Sequence, residues 1–101
     1  MQCSSDEILL KRQLKDKGIK EQTRQTMEEL GELIVALSKA LRYQSKGGAP
    51  ANLDDIAEEI ADVRIMLDQM ELFYNIKARS NNYRREKLER IRIMLDTGRE
   101  L

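Results

Sequence analysis

Two short acidic groups carry the chemistry for which this sequence is equipped: Glu28, Glu29 and Glu32 stand in MEELGEL, and Glu58, Glu59 and Asp62 in AEEIADV. A helix turns about 100° per residue, so Glu29 and Glu32 point within about 60° of each other, as do Glu59 and Asp62. Each pair therefore shares one face. On a helical wheel Glu59 falls inside the arc that holds Val63, Met66 and Met70, with Asp62 at its margin. Glu29 sits beside Leu33, Ala36 and Ala40, with Glu32 just beyond. Carboxylates at the border of a core are costly to desolvate unless positive charge accompanies them, and four that converge repel one another and raise at least one pKa.

Magnesium answers that conflict. It is a hard cation that takes carboxylate oxygens, keeps several waters and bridges to phosphate oxygens, with manganese as a substitute. Bound there, it would polarise a phosphoryl group and furnish a hydroxide-like nucleophile near neutral pH, while Glu28 or Glu32 orients the water. Cleavage of a phosphate ester or phosphoanhydride is the natural reaction class. One ExxE alone is commonly a solvated, ion-pairing helix face. Two such pairs, each bordering apolar residues, set this chain apart. The sequence contains no His, which excludes Ser-His-Asp and Cys-His catalysis, HExxH zinc chemistry and imidazole acid-base catalysis.

The elements that must position these acids read as helices throughout, because apolar residues recur at three and four positions and strand-like alternation is missing. A first helix is expected from about Asp6 to Lys17, capped by Asp6 or Ser5 and ended by Gly18. A second runs from Ile19 to about Gln44 with Met27, Leu30, Ile34, Leu37 and Leu41 as its main stripe, and Leu33, Ala36 and Ala40 widen it on one side. The stretch from Ser45 to Asn52, SKGGAPAN, is the clearest loop. A third helix follows, capped by Asn52 or Asp54, with a stripe of Ile56, Ile60, Val63, Leu67, Met70 and Tyr74. Asn75 and the SNN at Ser80–Asn82 read as a stop and a restart before a fourth helix to Thr97. A short loop between two long amphipathic helices makes them antiparallel neighbours, which brings the two acidic pairs together.

A chain of 101 residues fits one domain spanning 1–101, with no room for a separate binding module. One Phe and no Trp make the core of a single copy thin, and the width of the second helix's apolar face suits burial against more than one neighbour. The expected fold class is all-α, a four-helix bundle-like helical hairpin completed by oligomerisation. Lys plus Arg and Asp plus Glu balance at 18 each, so the overall charge suggests neither a nucleic-acid partner nor a membrane surface. Cys3 is alone and reads as incidental. With no signal-like N-terminus and no apolar run of spanning length, the expected location is cytoplasmic.

At the acidic residues the sequence resembles the MazG-like, all-alpha nucleoside triphosphate pyrophosphohydrolases. Their signature, EExxE followed by ExxD, matches EELGE at Glu28–Glu32 and EIAD at Glu59–Asp62, and the similarity covers about residues 18 to 95. The resemblance implies hydrolysis of an NTP or dNTP between the α and β phosphates. It further implies magnesium ligation by Glu29, Glu32, Glu59 and Asp62, with Glu28 as the remaining acid of the motif. It offers Lys87 and Arg90, in KLERIR, for phosphate contacts, and a homodimer or homotetramer of helical hairpins. Asn75 reads either as a helix end or as a contact to sugar or phosphate. Lys15, Lys20 and Gln22 are further candidates for nucleotide contact, and Tyr43, Phe73, Tyr74 and Tyr83 for base stacking, although aromatics in a helical stripe are more often core. The closest enzymatic rival is phosphoribosyl-ATP pyrophosphohydrolase. A rival of another class is a non-catalytic helical dimerisation module.

Overall fold

The computed structural model describes residues 4–48 and 51–99. Cys3 and the Ala49–Pro50 part of the expected loop lie outside the described residues. Four helices follow one another: α1 (Ser5–Lys17), α2 (Ile19–Ser45), α3 (Leu53–Tyr74) and α4 (Lys77–Thr97). The described chain is all-helical, without strands.

Local chemistry accounts for the boundaries. Ser4 caps α1, its hydroxyl accepting the Glu7 N–H at 3.0 Å, so the cap lies just ahead of the expected Ser5 or Asp6. Gly18 ends α1 at φ +85°, a conformation L-residues rarely adopt, and its N–H closes on the Leu14 carbonyl at 2.8 Å. That single residue separates α1 from α2. Asn75 ends α3 in the left-handed region at φ +54°, and the following Ile76 N–H reaches back to the Glu71 carbonyl at 3.1 Å. The restart expected at Ser80–Asn82 does not occur, because α4 already begins at Lys77 and runs through all three residues. Exposed polar side chains cost a helix little, and the Asn82 carboxamide is held by Arg85 one turn ahead.

The α2–α3 hairpin is the main contact of the fold, with α1 laid against both helices, whereas α4 meets only α3 among the described residues. The radius of gyration is 17.3 Å, against about 13 Å for a compact domain of this length. The single copy is therefore an elongated body rather than a closed bundle.

Which face of α2 meets α3 departs from expectation. Gln22, Thr26, Ala36 and Ala40 are buried and Glu29 and Leu33 half-buried; they form a row spaced 4, 3, 4, 3, 4. The larger stripe lies one residue ahead and faces outward: Met27 is 67% exposed, Ile34 64% and Leu41 64%. The smaller row admits α3 closely at Ala36 and Ala40, opposite a core that includes Val63 and Met66. Its other half is polar. Gln69 of α3 is fully buried, accepting from Gln22 Nε2 at 2.7 Å and donating to Gln13 Oε1 at 2.5 Å, which ties α1, α2 and α3 together. Thr26 satisfies its own hydroxyl on the Gln22 carbonyl. No described helix is long and apolar enough to cross a membrane.

Candidate metal centre

Glu29 lies at the middle of the buried row of α2, and antiparallel pairing sets Glu59 and Asp62 of α3 across from it. One carboxylate oxygen from each of Glu29, Glu59 and Asp62 lies within 4.8 Å of the others, and all three side chains are half-buried. Glu32 is exposed on α2 beside them, close enough to share a hydrogen bond with Glu59. Glu28 is exposed as well. The structure thus converges three of the expected acids and places Glu32 at their edge.

The electrostatics follow from this crowding. Burial pushes the Glu59 carboxyl up to about 7, with the Glu32, Glu29 and Asp62 carboxylates adding to the rise. Glu29 is raised too, chiefly by burial and then by Glu32 and Asp62, while Gln25 opposes the shift by donating its Nε2 to Glu29 Oε1 at 2.7 Å. The ion pairs of the described residues lie away from these acids, joining Lys11 to Glu7 and Arg92 to Glu89 and Asp96.

Three buried side-chain oxygens of the described residues have no hydrogen-bond donor: Glu29 Oε2, Glu59 Oε2 and Asn52 Oδ1. All three are acceptors, and Asn52 lines the same cleft as Glu32 and Glu59. Its Nδ2 is committed to the Ala36 carbonyl at 3.0 Å, which leaves Oδ1 over. Buried acceptors without donors are costly. A hard divalent cation matches the Glu29, Glu59 and Asp62 oxygens in charge and ligand type, whereas Asn52 sits seven residues, about 10 Å of helix, before Glu59.

Two clefts flank the acids. The larger, about 1270 Å³, lies between α1, α2 and α3 and has Glu29 and Asp62 in its wall, together with Gln13, Gln22 and Gln25. The smaller, about 520 Å³, holds Glu28, Glu32, Glu59, Asn52 and Lys39. Of the expected nucleotide contacts, Lys15 and Gln22 line the larger cleft, and the others lie outside both clefts. Lys87 lines a separate groove on α4 with Arg84 and Tyr83, and Arg90 is exposed on the same helix; neither borders the acidic clefts. Asn75 serves as the end of α3, roughly 20 Å along the helix from Asp62 at 1.5 Å per residue. Phe73 and Tyr74 pack edge to face on each other, exposed. Sequence reasoning missed Gln25 and Gln69 and took Asn52 only for a cap. Gln25 had a signal, standing one helical turn before Glu29; the tie from Asn52 to Ala36 spans the loop and had none.

Comparison with protein-family models, with curated proteins and with solved structures finds no match for the chain.

Proposed function

We propose that the chain is a magnesium-dependent nucleoside triphosphate pyrophosphohydrolase of the MazG-like kind, releasing a nucleoside monophosphate and pyrophosphate from an NTP or dNTP. The observation that carries the reading is the pair of donorless buried oxygens on Glu29 and Glu59 within the convergent acidic cluster. Glu29, Glu59 and Asp62 would hold the ion, with Glu32 at its edge. When bound, magnesium supplies charge neutralisation for the phosphate chain and activation of water. Glu32, exposed and in hydrogen-bonding reach of Glu59, would orient the attacking water and accept its proton, and Glu28 stands one turn away on the same cleft wall. The water adds across the α–β phosphoanhydride: its hydroxyl joins one phosphorus, and the bridging oxygen leaves on the other fragment. The larger cleft is roomy enough to admit a nucleotide. The outward stripe of α2 and the projecting α4 support assembly into a homodimer or homotetramer that covers them.

The test is incubation with magnesium and a panel of NTPs and dNTPs, including modified ones and phosphoribosyl-ATP, with identification of products. Monophosphate plus pyrophosphate is expected. Diphosphate plus phosphate refutes the cleavage position, and absence of turnover leaves the dimerisation module. Glu59→Gln should lower turnover by at least about 100-fold while helicity is retained.

A further inference from the structure

The acids need a source of positive charge for the substrate's phosphates, and Lys87 and Arg90 do not border either acidic cleft. Cations do line the larger cleft, and all of them come from α1: Arg12, Lys15 and Lys17. Lys15 and Lys17 occupy the last turn of α1, where positive charge also complements the helix dipole. Arg12 lies further from that end. It shares a cleft-facing side of α1 with Leu9, Gln13 and Asp16, at the i, i+3, i+4 and i+7 positions of one helical face. Asp16 is one turn ahead, yet Arg12 forms no ion pair among the described residues.

The level of Arg12 relative to the acids is set by the glutamine tie. Gln13 is joined through Gln69 to Gln22, and Gln22 stands seven residues, about 10 Å of helix, from Glu29. A guanidinium reaches about 7 Å from its backbone, and its planar fork binds phosphate oxygens in pairs. A phosphate chain anchored at Glu29 and Asp62 and running along the cleft would meet it.

Resting on the pyrophosphohydrolase reading, we infer that Arg12 on α1, flanked by Lys15 and Lys17, is the substrate's phosphate-binding cation, in place of Lys87 and Arg90 on α4. Helix α1 is then a working wall of the site. Lys39, the cation of the smaller cleft, serves as the comparison.

Isothermal calorimetry with the 101-residue chain and magnesium provides the test, using two probes: inorganic tripolyphosphate and a non-hydrolysable α,β-methylene deoxynucleoside triphosphate. Arg12→Gln should weaken both by about tenfold or more and flatten the salt dependence of binding. Arg12→Lys should recover part of the loss, and Lys39→Gln and the Lys87→Gln/Arg90→Gln double variant should stay within about twofold of wild type. Circular dichroism checks that α1 remains helical in each. Wild-type binding that Arg12→Gln leaves within twofold, or that falls instead in the α4 or Lys39 variants, overturns the inference and leaves the enzymatic reading standing. A wild-type protein that neither binds the probes nor cleaves nucleotides overturns both.

Discussion

Metal binding should expel protons from this protein, and the amount follows from Glu59. Its carboxyl titrates at about 7 because burial and three neighbouring carboxylates disfavour the charged form, whereas an ion can be held only by the carboxylate. With that midpoint, Glu59 is about nine-tenths protonated at pH 6, about half at pH 7 and about one-tenth at pH 8. Binding of one magnesium ion should thus release about 0.9, 0.5 and 0.1 proton at those three pH values from this residue. The apparent affinity should tighten by about tenfold from pH 6 to pH 8. Glu29, raised for the same reasons, adds in the same direction. Calorimetric titration with magnesium chloride in two buffers of different ionisation enthalpy reads the proton count directly. Equal affinity at pH 6 and pH 8, with heats that do not depend on the buffer, would refute the claim that these carboxylates converge in a desolvated site.

The metal-free protein should behave in the complementary way. Because the folded pKa of Glu59 lies above its ordinary value of 4.5, the folded state holds the extra proton, so this contribution to stability is complete below about pH 4.5 and is lost as pH rises through about 7; thermal melts across that window should show the decline, and Glu59→Gln should flatten it. Gly18→Ala should cost about 1–2 kcal/mol in urea unfolding: a Cβ there meets nothing within 4 Å, so the penalty comes from the positive φ alone. Gln69→Leu should cost about 2 kcal/mol by the same assay, chiefly because it strands the buried Gln22 Nε2; a neutral result would mean that the amide tie contributes nothing net. Ile34→Asp, on the outward stripe, should leave a single copy's fold intact and reduce the sedimentation mass of the proposed assembly to that of one chain, whereas an unchanged mass argues against this stripe as its contact.

Much of the acidic cluster was legible because helix geometry is periodic: the i, i+3 spacing of Glu29 with Glu32 and of Glu59 with Asp62 set which faces they share, and the loop from Ser45 to Asn52 set which helices pair. The wheel also separated Glu29, in the buried row, from Glu32 at its edge, as observed. The choice between two rows on α2, one residue apart, was not legible. Hydrophobicity favours Met27, Ile34 and Leu41, but the row carrying Ala36, Ala40 and the glutamines allows close approach and amide pairing, neither of which one helix reveals by itself. The run through Ser80–Asn82 was missed for a similar reason. Turn-forming residues are only weakly disfavoured on an exposed helix, and Asn75 had already made the break.

The two amide ties of the hairpin have a consequence for alignment. Gln22 with Gln69 lies towards one end of α2 and α3, and Asn52 with the Ala36 carbonyl towards the other. A row of small and polar side chains at heptad spacing would otherwise tolerate sliding by seven residues, since apolar contacts are not directional. Such a slip would unpair both amides in a buried setting and carry Glu29 about 10 Å away from Glu59 and Asp62. The polar residues that thin the core therefore act as register pins, holding carboxylates from two helices opposite each other although their charges favour separation.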